Sequence, residues 1–304
     1  MATVKTGIVL EGGGMRGMYT SGILDVLMEN QIFLDGMVGV SAGIAFGCNY
    51  KSRQAGRALR YNVRFAKDRR YSGLLSLLRT GNYYNADFAY HQVPTHYDVF
   101  DQNAFQESPM ECFAVCFDVN AGQPVYQRLD HVDHDTLEWI RASASMPVVA
   151  RPVELGGRLL LDGGLGDSIP LQFMMDKGYE RNVVILTREE GYRKSTEHGL
   201  WLMKPLLRRY PKVIEALEHR PALYNKQLQL VREQEHKGNA FVFRPTKPLD
   251  VSRTTHDPAE MERVYKQGRE EGQQRLEELI KFLAGEQETK TPTTATTTTT
   301  ANDA

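Results

Sequence analysis

The chain has 304 residues, with 37 Lys or Arg against 38 Asp or Glu. That length suits one large domain or two small ones, and the charge balance exerts no global pull towards nucleic acid or membrane. No apolar run reaches bilayer length, and Met1–Lys5 leads straight into a strand-like run without a signal-peptide pattern.

From residue 7 to about 190 strand-like and helix-like runs alternate. Residues 7–10 form an apolar run that reads as a buried strand. Residues 21–30 follow as a helix with Ile23, Leu24, Val26 and Leu27 inward. A second strand is expected over 36–40, then a helix beginning at Ala42. Residues 51–79 hold nine Lys or Arg and a single acid, Asp68. Residues 111–119 read as a strand that pairs with 123–129 across Asn120-Ala121-Gly122. Residues 148–155 and 158–161 flank Gly156-Gly157 as a hairpin, and 182–187 closes the set. Such alternation predicts an α/β layered fold with a mostly parallel sheet, its ligand site at the carboxyl ends of the strands.

Beyond residue 190 the composition changes. Residues 199–236 read as helical with interruptions at Pro205, Pro211 and Pro221. Residues 241–244 form a short strand, and a last helix runs from Asp257 or Pro258 to about Leu283. We expect three parts: a catalytic domain over 6–190, a mainly helical extension over 191–288 packed on it, and a Thr-rich tail over 289–304. The tail has almost no apolar surface to bury, which predicts disorder.

Two segments carry most of the chemistry. Gly39-Val40-Ser41-Ala42-Gly43 has the G-x-S-x-G form of a nucleophile elbow, in which a serine sits on a tight strand-to-helix turn. Gly12-Gly13-Gly14-Met15-Arg16-Gly17 is a glycine turn between a strand and a helix, whose bare N–H groups suit an anion. An oxyanion hole built from the N–H groups of Gly13, Gly14 and their neighbours fits this turn, with Arg16 bracing the loop, meeting a phosphate or standing as a surface charge. The turn also satisfies G-x-G-x-x-G, but a dinucleotide site wants an acid at the end of the second strand, where Ser41 stands. A serine needs a base. None of the eight histidines ends a predicted strand, whereas Asp162 does, in Leu161-Asp162-Gly163-Gly164. Burial raises a carboxyl's basicity, so Asp162 is the candidate base; an ordinary turn Asp before Gly-Gly is the alternative.

GGGMRG at 12–17, GVSAG at 39–43, the ASASMP run at 142–147 and DGG at 162–164 together resemble the patatin-like phospholipases, over about residues 6–190. The resemblance implies a three-layer α/β/α sandwich and a Ser41–Asp162 dyad without histidine. It implies an oxyanion hole at Gly12–Gly14, with Arg16, Gly17, Gly39, Gly43, Gly163 and Gly164 in support. It further implies hydrolysis of fatty acyl esters of lipids through an acyl-enzyme, with neither metal nor cofactor. Acyl transfer, or lipid or partner binding without catalysis on the same fold, are the alternatives. The family often has Asn before the Pro that closes the DGG segment; here Asp167 and Ser168 precede Ile169-Pro170.

Three further patterns stand outside these motifs. Arg53, Arg57, Arg60 and Arg64 recur at helical spacing. They read as the solvated face of a packed helix or as a contact with an anionic membrane. No nucleic-acid module accompanies them. His131-Val132-Asp133-His134-Asp135 leads into a helix over 136–142, with Asp133 or Asp135 as its cap rather than as metal ligands. Leu202, Leu206, Leu207, Tyr210, Val213, Ile214 and Leu217 have helical spacing and read as core, with a lipid-facing lid as the alternative. Cys112 and Cys116 on one strand stand roughly 13 Å apart, too far to bridge. With Cys48 they read as core of a reduced, cytoplasmic protein, placed to reach the inner face of the membrane.

Overall fold

A computed structural model describes residues 4–195 and 199–286. The Thr-rich tail lies outside the described residues. The sheet has eight strands: β1 (Thr6–Leu10), β2 (Gly36–Val40), β3 (Glu111–Asp118), β4 (Gln123–Arg128), β5 (Val153–Leu155), β6 (Arg158–Asp162), β7 (Arg181–Ile185) and β8 (Ala240–Phe243). Its order is β5-β6-β3-β2-β1-β7-β8, with β4 also paired to β3. The five strands from β3 to β8 in that order are parallel; at one side β4 and β6 each pair antiparallel with β3, and β5 pairs antiparallel with β6.

The helices are α1 (Gly17–Glu29), α2 (Ala42–Lys51), α3 (Arg57–Phe65), α4 (Leu74–Thr80), α5 (Gln102–Glu107), α6 (His134–Ser143), α7 (Leu171–Asp176), α8 (Leu200–Met203), α9 (Pro211–His236), α10 (Pro258–Gln274) and α11 (Leu276–Ala284). A π-helix covers Phe88–Tyr97 with Pro94 inside it.

Strand side chains alternate between faces, and the two faces gather different helices. Ile8, Leu10, Met37, Val183, Ile185 and Phe243 join one core with Ile23 and Leu27 of α1, Ile44 of α2 and Val264 of α10. Val9, Val38, Val40, Val184 and Val242 join the other with Leu171 and Met174 of α7 and Tyr224, Leu228 and Val231 of α9. Helices on both faces of a mostly parallel sheet make the three-layer α/β/α arrangement. The late region is part of this arrangement: β8 extends the sheet beside β7, while α9 and α10 cover opposite faces.

Local sequence explains most element ends. Asp133 caps α6 by accepting from the Thr136 N–H, and Asp257 caps α10 by accepting from Ala259. Gly156 and Gly157, at φ 57° and 71°, turn β5 into β6; left-handed backbone at two successive residues is what a tight hairpin requires. The strand expected from Val148 begins only at Val153, because Val148 itself is left-handed at φ 72°. Pro205 and Pro211 interrupt the helix expected over 199–236 as read, but Pro221 lies inside continuous α9. Leu202 and Leu206 are therefore not core: α8 stops at Met203 and leaves them 58% and 67% exposed, while Leu207, Val213 and Leu217 are buried.

Candidate active site

The glycine turn follows β1 and Ser41 follows β2, its neighbour in the sheet, so both motifs sit at carboxyl ends. Ser41 has φ 55° and ψ −125°, a strained conformation for a residue with a side chain. The turn requires backbone contact that only glycine permits: a Cβ on Gly43 would stand 2.5 Å from the Leu10 carbonyl oxygen. One on Gly12 would stand 2.9 Å from the Ser41 Cβ, so the glycine turn and the serine are in direct contact. Gly39 precedes the elbow in β2, and Gly17 opens α1 behind the turn.

The ASASMP run holds this arrangement in place. Ser143 Oγ accepts from the Ser41 backbone N–H at 2.9 Å and donates to the Val115 carbonyl at 2.6 Å. The Ser145 carbonyl accepts from the Asp162 N–H at 2.8 Å. Asp162 ends β6 in antiparallel register with Cys116 of β3, and its buried carboxyl lines the same cleft as Ser41. Its Oδ1 accepts from the Gly164 N–H at 2.8 Å, with Gly163 between. Burial pushes the Asp162 carboxyl above its ordinary range, opposed by the Ser41 hydrogen bond, by Arg220, by the Gly164 N–H and by Arg253. At the departure from the family pattern, Ser168 Oγ donates to the Gly164 carbonyl at 2.9 Å and Arg220 Nε donates to the same oxygen at 2.6 Å. The segment after Asp162 is thus braced without the Asn. Asp167 turns away to Tyr126 and Gln227, and its burial raises the carboxyl to about 6.

Among the described residues, the N–H groups of Gly12, Gly13 and Gly14 have no intramolecular acceptor, whereas the next one, Met15, donates to the Arg253 carbonyl at 3.1 Å. Glu11 anchors the loop from behind by accepting from Tyr224 OH at 2.7 Å and from the Thr187 N–H at 2.6 Å. Arg16, 8% exposed, lies beneath the loop. Its pKa is lowered to about 10, first by burial and then by Arg188.

Two cavities share Ser41. One, about 110 Å³, is apolar and runs between Ala45 and Phe46 of α2, Tyr61 of α3, Val93 of the π-helix and Ile140 of α6. The other, about 390 Å³, is a wider cleft with more polar groups in its wall, and it also contains Asp162, Gly12–Gly14 and Arg16. Arg188, Lys194, Arg220 and Arg253 line it from segments that sequence motifs did not single out. Their approach depends on chain contacts across 180 or more residues in the case of Arg253, for which no local signal exists. The ASASMP run did signal Ser143. Among the described residues no histidine lines either cavity.

The arginine stripe resolves into separate roles. Arg57 is buried, bonded to the Asp98 carbonyl and to Asn49 Oδ1, and Arg60 grips the Asp98 carboxylate at 2.7 and 2.8 Å. Arg57 therefore cannot meet a membrane. Arg53 and Arg64 are exposed. His91, His134 and Glu138 form the one cluster of metal-capable groups found among the described residues; His91 and Arg141 both bond Glu138. Cys48, Cys112 and Cys116 are free and buried.

A glycine turn and a strained serine at adjacent strand ends define an α/β protein with an elbow-type site. The patatin-like phospholipase model matches residues 8–175, and a domain of unknown function, DUF6363, matches 210–284. The chain belongs to the patatin-like phospholipase family. It is similar to the uncharacterized protein YjjU of Escherichia coli, 29% identical over 87% of this chain and 75% of that protein. It is also similar to lysophospholipase NTE1 of Yarrowia lipolytica, 26% identical over 90% of this chain but only 19% of that protein. The crystal structure of VipD from Legionella pneumophila is similar at TM-score 0.44 and 14% identity, covering 91% of this chain and 67% of that one, too distant to add to the assignment.

Proposed function

We propose that this protein is a serine acyl hydrolase that cleaves fatty acyl esters of lipids, with Ser41 as nucleophile and Asp162 as its base. The observation that carries this reading is the convergence on one cleft of a strained Ser41 and a buried Asp162 carboxyl raised above its ordinary range, with no histidine among the described lining residues. The Ser41 hydroxyl attacks the ester carbonyl and its proton passes to Asp162, forming a tetrahedral oxyanion. The N–H groups of Gly12, Gly13 and Gly14 face that oxygen, and such preset donors act strongly where water is excluded. Asp162 returns the proton to the departing alcohol, leaving an acyl-Ser41. Water then attacks, gives its proton to Asp162, and the acid departs as Ser41 is reprotonated. The acyl chain occupies the apolar cavity.

The names of the fungal relatives support a lysophospholipase-type substrate, and the family supports lipid ester hydrolysis. No helix among the described residues is long and apolar enough to cross a membrane, and three reduced cysteines accord with a cytoplasmic setting. A strained elbow and unpaired glycine donors speak against a merely binding role. The test is fatty acid release from lysophospholipids, phospholipids and simple acyl esters by wild type and Ser41→Ala. Release that vanishes in the variant is expected; release that persists at the wild-type rate would refute the assignment of Ser41.

A further inference from the structure

The cleft carries several cations. Among the described residues Arg16, Arg188 and Arg253 line it together with Lys194 and Arg220, and the described acids there are Glu11 and Asp162. Both acids are already engaged, Glu11 by Tyr224 and Thr187 and Asp162 by Gly164. Among the described residues neither Arg188 nor Arg253 has a carboxylate within ion-pair distance. Arg16 adds an independent sign: it is more than nine-tenths buried, lines the cleft, and its Nε–H has no hydrogen-bond partner. Buried donors are normally matched, so an unmatched one in a wall of like charges points to an anion from outside the chain.

We propose that this cleft holds a phosphate monoester head on the acyl ester that Ser41 opens, gripped by Arg16, Arg188 and Arg253. The inference rests on the acyl hydrolase reading and names its substrate class: a monoacyl lipid whose head is an anionic phosphate. Ser41 lies on the wall common to both cavities. An ester across it has its chain on the apolar side and its head among the arginines. The Arg253 backbone is anchored at the glycine turn, where its carbonyl accepts from the Met15 N–H. A choline head fits poorly. Among the described lining residues no carboxylate is spare for its ammonium, and the aromatic faces that would cradle one are taken. Arg188 lies 4.5 Å over the Tyr192 ring and Lys194 lies 5.8 Å over Tyr224. Arg188 and Arg253 both lie outside residues 8–175, so this selectivity belongs to the late part of the chain.

Binding in the full-length Ser41→Ala protein tests this separately from catalysis. Calorimetry would compare decanoylglycerol phosphate, decanoylglycerophosphocholine and decanoylglycerol below their micelle concentrations, with inorganic phosphate alone as a fourth ligand. The expected result is at least tenfold tighter binding of the phosphate monoester than of the other two lipids, with inorganic phosphate competing more weakly. Adding Arg188→Gln and Arg253→Gln should abolish the preference, and Arg→Lys at both positions should restore part of it, with melting curves reporting the fold. Equal affinity for the three lipids would overturn the proposal. Inorganic phosphate bound as tightly as the lipid phosphate would overturn it too, by making the cleft a free-phosphate site. The lipid series uses the unaltered arginines, so it decides even if the Gln variants fail to fold. Failure of wild-type hydrolysis would leave this binding result intact, and absence of preference would leave the hydrolase reading intact.

Discussion

The apolar cavity and the basic cleft meet at Ser41, yet they are assembled from different parts of the chain. Apart from Arg253, every residue lining the apolar cavity lies within the span that matches the patatin-like family. The cleft takes Arg188, Tyr192, Lys194, Met203, Leu217, Arg220, Tyr224, Arg253 and Thr254 from beyond it. The comparison teaches a division of origin: the glycine turn, the elbow and the apolar cavity come with the family span, while nine residues of the wider cleft come from the late segments, and the proposed function assigns the acyl chain to the first and the alcohol side to the second. Substitutions at the junction should therefore silence every substrate, and substitutions on one side should change only which substrate is used.

The largest effect belongs to the junction. Ser41→Ala and Asp162→Asn should each lower kcat by about 10⁴-fold or more on every ester, read as fatty acid release. Asp162→Asn should also melt higher than wild type at pH 7. Burial raises the folded carboxyl's pKa above its ordinary value of 3.8. The folded state therefore binds the proton more tightly, and stability falls as pH rises from that value through the raised one. Above both, the charged carboxylate is a burden that Asn removes. A lower melting temperature would contradict this. The same carboxyl must be ionised to act as base, so kcat/KM should fall at acid pH with an apparent pKa above 3.8.

Ser143→Ala comes next. It takes the acceptor from the Ser41 N–H and the donor from the Val115 carbonyl, both buried. Unsatisfied buried groups cost about 1–3 kcal/mol, measurable by denaturant titration. A shifted nucleophile should cost kcat about tenfold or more on all substrates alike. A change confined to KM would place Ser143 on one side rather than at the junction.

Ala45→Phe sharpens the comparison from the apolar side. Ala45 lines that cavity only, and each methylene kept out of it forfeits about 0.8 kcal/mol. Hydrolysis of palmitoyl esters should fall relative to butyryl esters by about tenfold or more, measured with one leaving group. An unchanged chain-length profile would show that the acyl chain lies elsewhere.

The smallest effect concerns the surface. Charge reversal at Arg53 and Arg64 should alter binding to anionic vesicles within about twofold, since exposed charges contribute little each in salt. Replacing Leu74 and Leu78, 72% and 84% exposed on α4, by Ser should weaken it further. Flotation with vesicles of defined composition would rank the two.

Much of this was legible in the sequence where local backbone demands leave a local trace. The apolar runs gave β1, β2, β3 and β7 because parallel strands covered on both faces must be apolar throughout. The elbow and the glycine turn were legible because close backbone contact admits only glycine. Other features had no such trace. Helical spacing placed Arg53, Arg57, Arg60 and Arg64 on one face, but Arg53 stands in the turn before α3 with φ 57°, and Asp98, some forty positions later, turns Arg57 inward. Pro205 marked the stop at Met203, but helical spacing alone did not show that the short α8 leaves Leu202 and Leu206 exposed. Arg188 and Arg253 are ordinary arginines until the fold brings them beside Arg16.

The most direct test of the central assignment is covalent labelling with a long-chain fluorophosphonate, followed by peptide mass mapping. One adduct on Ser41, slowed by Asp162→Asn and absent from Ser41→Ala, is the expected result. No adduct on the folded protein, or an adduct formed equally in Ser41→Ala, would contradict it.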